Sequence, residues 1–292
     1  MSKGLLDPKV DFVFKNIFGS PNHPEILISF LNATLKAKKK IVNVDIKKTD
    51  IEKQYIEDKY SRLDVKATTS NDEIINIEIQ LKNENNMVKR SLYYLSKMYE
   101  EQLNEKEDYS KLVRTVCINI LNFKYLKTDN FHTGYRFKEI ESNEELTDIM
   151  EVHFIEIPKL QDSSDEKDML VAWTEFLKDP ESEKVRGLEL SIEEIRQAKD
   201  ELIRMSNDST QRELYDMRAN SLRDKMSELN AAERKGIEKG REEGREEGRK
   251  EGIEEGRKEE KIKIARSMKL SGLDTNTIAK ITNLSEDEID KL

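Results

Sequence analysis

The chain has 292 residues and is short of several residue types, and each shortage closes off a class of answers. It carries one cysteine, Cys117, so no disulfide forms within it. That thiol stands in the apolar run VRTVCINIL, where a buried strand side chain is expected rather than a nucleophile or ligand. Three histidines, His23, His132 and His153, lack the spacing of a zinc site and read as surface or half-buried residues. Aromatic residues make up 7% of the chain, with a single tryptophan, Trp173, read as an anchor between a helix and the core rather than a base-stacking platform. No apolar run approaches the roughly 20 residues that span a bilayer, and the N-terminus has no signal-peptide core, so a cytoplasmic protein without membrane contact is expected. A positive surplus is also missing. Charged residues are 38% of the chain, yet the net charge is −9, which excludes a basic coat over nucleic acid and makes any DNA contact local.

The most informative stretch is 62–81, RLDVKATTSNDEIINIEIQL. Leu63, Val65 and Ala67 alternate with Arg62, Asp64 and Lys66, and Ile75, Ile77, Ile79 and Leu81 alternate with Asn76, Glu78 and Gln80. A period of two marks strands, so two strands joined by a polar turn at Ser70, Asn71 and Asp72 are expected. Strand side chains point alternately to opposite faces, which puts Glu78 and Gln80 together and the isoleucines in a core. Antiparallel pairing can then set Asp64 across from Glu78. Two carboxylates a strand apart repel unless a cation lies between them, as in Mg²⁺ sites; a plain hairpin with one wet face fits the same pattern.

Around this hairpin the other elements fall into order. Asp7-Pro8 reads as a helix start and Gly19 as its end, with Val10, Val13, Phe14, Ile17 and Phe18 inward and Asp11 and Lys15 sharing the other side. A second helix is expected over 24–35, with Leu27, Leu31 and Leu35 on one face, followed by the basic patch 36–40. Residues 41–46 begin the sheet. After the hairpin, Val88, Leu92, Leu95 and Tyr99 suggest a helix packed on the sheet, with Arg90, Tyr94 and Lys97 on its other face. Strands are expected at 113–121 and 152–157, the first apolar enough to be buried on both faces. Beyond Pro158 the chain reads as helical, with capping boxes at Ser163/Glu166 and Ser191/Glu194.

Asp64 followed by Glu78-Ile79-Gln80 resembles the core of the PD-(D/E)XK nucleases, in the variant with Gln where Lys is usual. The opening LDPKVDFVFKNIFG, the run RSLYYLSKMYEEQL and the GREEGREEG repeats resemble the bacterial recombination-promoting nucleases, also called PD-(D/E)XK nuclease family transposases. The resemblance implies an α/β fold with a restriction-endonuclease-like αβββαβ core, here 1–162; the residue pattern adds a helical extension over 163–234, a charged Gly repeat over 235–260 and a small helical tail over 261–292. It implies a metal-dependent DNA endonuclease linked to recombination or transposition. Asp64 and Glu78 would hold Mg²⁺, with Mn²⁺ as a substitute, helped by the Ile79 carbonyl and by Asp11. Gln80 would orient the attacking water and Lys15 would meet phosphate. Beside the resemblance, Lys66 and Lys82 are available to supply positive charge at the DNA, and Arg90, Tyr94 and Lys97, at helical spacing, could grip its backbone, a face that core edge and solvent explain as well. No organic cofactor is expected. A silent assembly protein that keeps the fold is the alternative; an RNase H-like transposase would need carboxylates on distant strands and a helix, which nothing here supplies.

Gly236, Gly240, Gly244, Gly248, Gly252 and Gly256 recur every fourth residue among Arg, Glu and Lys. Such flanks exclude lipid, leaving a flexible linker or a helix that pairs closely with another, and a homodimer through this repeat is expected. The tail reads as a short helix-turn-helix, with Ile264, Met268 and Leu270 apolar, Gly272 at the turn and a capping box at Ser285/Glu288. Its last helix begins Glu286, Asp287, Glu288, which would repel phosphate, so a protein contact is expected before base readout.

Overall fold

The computed structural model describes residues 4–37, 39–47, 65–165 and 167–292. It divides into two compact units, Met1–Leu222 and Arg223–Leu292. In the first, helices α1 (Asp11–Phe18) and α2 (Pro24–Leu35) precede strands β1 (Val44–Lys47), β2 (Val65–Thr69) and β3 (Ile74–Gln80). Then come α3 (Met87–Glu100), β4 (Thr115–Leu121), β5 (His132–Lys138) and β6 (Glu145–Glu156). The order matches the expected α/β core, and the strands form one sheet in the order β1-β2-β3-β4-β6-β5. The β1, β2 and β3 strands are antiparallel neighbours, β3, β4 and β6 run parallel, and β5 returns antiparallel along the edge. Every residue of β4 is buried, as its unbroken apolar run requires for a strand covered on both faces.

The turn between β2 and β3 is set by its polar residues. Asp72 takes a positive φ of 61°, a conformation Asp tolerates better than most residues, and Thr69 N–H donates to the Glu73 carbonyl at 2.9 Å. The isoleucine face of β3 joins Val13, Phe14, Ile17 and Phe18 of α1 and the apolar side of α2. Helices α4 (Met169–Lys178), α5 (Glu183–Glu189) and α6 (Glu193–Asn207) complete that core. Trp173 is fully buried there, edge-on to Phe18 at 5.3 Å, with its indole N–H donating to Ser29 Oγ at 3.2 Å, which bears out the anchor reading. Leu6 N–H donates to Ser206 Oγ and Lys9 Nζ to the Leu177 carbonyl, tying the N-terminal segment to the last helices of the core.

Several expectations need correction. The first helix starts at Asp11, not at Asp7-Pro8: Asp7 closes a turn by accepting from Lys9 N–H and, through its carbonyl, from Val10 N–H. Helix α3 is rotated from the expected face. Val88 and Leu92 are 40% and 49% exposed, and Met87, Ser91, Tyr94, Leu95 and Met98 point inward. Both stripes carry apolar residues at helical spacing, and Ser91 is tolerated inside because its hydroxyl bonds Met87 O and Asn119 Oδ1. Asp168, not Ser163, caps α4, and Glu166 lies outside the described residues; α6 begins at Glu193 after Ile192, with Ser191 Oγ bonded to Leu188 O instead. The edge strand β5, HTGYRFK, has no apolar run and was not expected.

In the second unit the Gly repeat lies within one helix, α7 (Ser209–Leu270), followed by α8 (Thr275–Thr282) and α9 (Glu286–Asp290). Gly272 makes the turn with φ of 83°, and the Ser285/Glu288 capping box is formed. The small core is Ala265, Ile278, Leu284 and Ile289 with Ile262 and Met268 beside it, whereas Ile264 and Leu270 face outward.

Candidate active site

Asn76, Glu78 and Gln80 share one face of β3, and α3 lies over it. That face is therefore not wet: the Glu78 side chain is 2% exposed. A carboxylate so placed needs a cation, and α3 supplies one, with Arg90 Nε donating to Glu78 Oε2 at 3.1 Å. The guanidinium also sits over the Tyr94 ring, 5.4 Å from its centre. Burial pushes the Glu78 carboxyl above its usual range, and the Arg90 charge opposes that rise. Asn76 Nδ2 makes a long contact of 3.5 Å with the other Glu78 oxygen, and Asn76 Oδ1, also buried, has no hydrogen-bond partner among the described residues. On the next strand Asn119 stands in register with Glu78, donating to the His153 carbonyl and accepting from Ser91. Ser91 and Asn119 thus fix α3 one residue beyond Arg90.

Asp64 lies outside the described residues, as do Arg62 and Leu63. Val65, which follows Asp64, pairs with Ile77, which precedes Glu78. Gln80 is half-buried on the Glu78 face. Asp11 and Lys15 are on α1, on the isoleucine side, and Asp11 pairs with Arg218 at 3.3 Å. Lys66 lies 3.7 Å from Glu101, which Lys97 also approaches at 3.7 Å, while Lys97 is 3.2 Å from Glu100. Lys82 follows β3 and is half-buried. Tyr94 is 4% exposed; the rotation of α3 turns its ring inward, so it offers no open face to a base. Cys117 is buried on the same side, its thiol pushed up by burial and by the Glu78 charge, which leaves it inert. The Arg90 pairing, Asn76, Ser91 and Asn119 were not foreseen; a lone Asn inside the apolar run VCINIL was the available signal.

The family described as "PD-(D/E)XK nuclease family transposase" matches residues 8–232. The chain belongs to this family. Residues 258–292 match the "Rpn/YhgA-like nuclease family, C-terminal HTH domain", which covers the end of α7 with α8 and α9. No curated protein and no solved structure matches the chain.

Membership in this nuclease family implies a divalent ion, and the donors around Glu78 can be tested against one. They are hard oxygens: the buried Glu78 carboxylate, at present paired with Arg90, the partnerless Asn76 Oδ1, and the Gln80 amide. That chemistry suits Mg²⁺ or Mn²⁺. Among the described residues, no three His, Cys, Asp or Glu side chains gather as a metal site.

A second polar cluster lies on the opposite face, between β5 and β6. His132 Nε2 meets His153 Nδ1 at 2.9 Å with the rings stacked, and His153 Nε2 is 2.9 Å from Glu151 Oε1. His153 is thus a buried residue, contrary to expectation. Arg114 pairs with both Glu151 and Glu73, and Arg136 with Glu151 and Glu145. Burial and the neighbouring His153 hold the His132 imidazole down at about 4. Burial would raise Glu151, but His153 and Arg114 hold it at about 2. Gly134 leaves space for the His153 ring: a Cβ there would lie 3.1 Å from Cε1.

Proposed function

We propose that this protein is a metal-dependent DNA endonuclease serving recombination or transposition, with Asp64 and Glu78 as the carboxylate ligands. The single observation that carries the reading is Glu78, a carboxylate buried on the face of a central strand and ending beside an oxygen that has no partner. Arg90 neutralises the acid, yet the neighbouring Asn76 oxygen is left without a hydrogen bond, which a purely structural cluster would be expected to satisfy. Asp64, outside the described residues, is assigned as its companion from the alternation of the sequence and the resemblance to the nuclease core. A divalent ion held there supplies a water of lowered pKa and neutralises charge on the leaving oxygen.

The residues around the ion have distinct tasks. Gln80, on the same face as Glu78, orients the water by hydrogen bonds but brings no charge. The Ile79 carbonyl is a further oxygen donor, and Asp11 is a more distant candidate whose use requires release from Arg218. Lys66, Lys82 and Lys97 would provide a local cationic margin on an otherwise acidic chain, and Lys15, on the isoleucine side, a DNA contact away from the ion. The helix-turn-helix tail favours DNA as partner, but the acidic first turn of α9 is unsuited to entering the groove, so we assign the tail a supporting contact rather than base readout.

The Gly repeat of α7 is read as the contact of a homodimer. Among the described residues, a Cβ at any of its six glycines would meet nothing within 4 Å, so packing against them does not require glycine. Each costs helix stability of about 1 kcal/mol relative to Ala, which a close helix partner would offset.

The test is supercoiled plasmid incubated with the full chain with and without Mg²⁺, alongside Asp64→Asn and Glu78→Gln. Cleavage that requires Mg²⁺ and is lost in both variants is expected. Cleavage undiminished in both variants refutes the site; no cleavage by the parent protein under any divalent ion favours the assembly-protein alternative.

A further inference from the structure

The Arg90 to Glu78 pair has an unusual asymmetry. The acid is almost wholly enclosed, while the Arg90 side chain remains 22% exposed, so the guanidinium has its Nε on a buried oxygen and a route to solvent. The contact is made through Nε to one oxygen and is not the two-pronged bond that fixes Arg most firmly to a carboxylate. Tyr94 supports the cation from below, and the Ser91 to Asn119 bond holds the helix still, so Arg90 can turn by side-chain rotation alone.

We propose that Arg90 is a placeholder for the divalent ion at Glu78 and a residue that switches partners. It neutralises the buried carboxylate in the metal-free protein, yields Glu78 when the ion binds, and then takes a phosphate oxygen of DNA. The inference rests on the nuclease reading. A guanidinium and a divalent cation compete for one carboxylate, and the positive charge that remains nearby repels the ion unless it moves away. Moving it toward solvent places a planar donor fork where the phosphodiester backbone would arrive. Metal and DNA would therefore bind cooperatively, through a positioning residue that acts by its charge and touches substrate only in the loaded state.

An adjacent Arg changes a carboxylate's affinity for a proton by about ten- to a thousandfold, and the part exposure of Arg90 places its effect on another cation near the low end, roughly tenfold. The experiment uses the full chain and Arg90→Gln, which removes the charge but keeps a hydrogen-bonding group near Glu78. Calorimetric titration with Mn²⁺, at mildly alkaline pH and without DNA, should give roughly tenfold tighter binding to the variant. Anisotropy with a labelled duplex in Ca²⁺ should show the variant binding DNA several-fold more weakly. Equal or weaker Mn²⁺ binding by the folded variant overturns the placeholder role alone, and unchanged duplex affinity overturns the switch. Failure of both proteins to bind Mn²⁺ instead refutes the nuclease reading itself. A second measurement needs only the parent fold: the Arg90 Nε–H resonance, assigned with Arg90→Lys, should shift on adding Mg²⁺, and an unmoved resonance at saturation overturns the proposal.

Discussion

Acid should loosen this fold in two successive windows, the first governed by His132. In the folded protein its imidazole is held at about 4 against an ordinary 6.5. A histidine whose pKa is depressed by folding binds its proton more readily when unfolded, so its neutral form favours the fold fully above about 6.5 and progressively less as pH falls toward 4. The separation of about 2.5 pH units corresponds to about 3.4 kcal/mol as an upper limit. Solvent reaches part of the ring, which reduces this by roughly half, to a loss of about 1 kcal/mol by pH 5. Burial sets the direction; of the groups facing the ring, His153 and Lys36 also oppose a positive charge, whereas Asp168 and Glu151 favour it. Glu151, held at about 2, governs the second window, its contribution being present above about 4.5 and lost toward 2. Urea unfolding followed by the fluorescence of Trp173, the one tryptophan and a fully buried one, reads the core directly. The parent protein should lose stability between pH 7 and 5 and His132→Gln should lose less by about 1 kcal/mol. Equal losses in the two proteins would refute the argument.

Three further predictions concern separate parts of the chain. Gln80→Lys should retain or raise Mg²⁺-dependent cleavage, since it restores the residue usual at this strand position in the wider nuclease superfamily; complete loss in a folded, metal-binding variant would show that the amide has a task an ammonium cannot perform. Replacing Gly240, Gly244 and Gly248 by Leu should raise helicity yet weaken self-association in sedimentation, while Glu243→Gln should not; an unchanged association constant would remove the repeat from any dimer contact. Gly134→Ala should destabilise the fold by about 1–2 kcal/mol in the same urea assay, because the added methyl presses on the His153 ring. A neutral result there would mean that the ring gives way freely.

The hairpin, α2, β4 and the buried tryptophan were legible because their sequences admit one arrangement: strict alternation, a clean leucine stripe, an unbroken apolar run. Helix α3 was not. Val88 and Leu92 compete with Met87, Tyr94 and Leu95 for the inward face, and only the sheet, which offers Asn119 to Ser91, decides between them. Edge strand β5 was invisible because its outward residues need not be apolar, and its partner sets its course. In the candidate site Glu78 could be picked out by period and resemblance, but that its counter-ion comes from Arg90, twelve residues on, follows from the rotation of α3. The boxes at Ser163 and Ser191 misled because a capping pattern names residues able to cap, while the packing of α4 and α6 chooses where each helix begins.

Helices α1 and α2 lie in a core that includes both the isoleucine face of the sheet and α4 and α6, and this has a consequence for synthesis. The first two helices leave the ribosome early, whereas Leu202 and Met205 of α6 follow α2 by roughly 170 residues, or about ten to thirty seconds at ordinary translation rates. In the last part of that interval, once β6 has been made, Ile26, Phe30 and Leu31 can gain their sheet-side neighbours but not yet all of their helical ones. A nascent chain stalled before α6 should therefore bind hydrophobic-seeking chaperones, and release from them should coincide with the emergence of Ser206, whose hydroxyl receives the Leu6 amide and closes the unit.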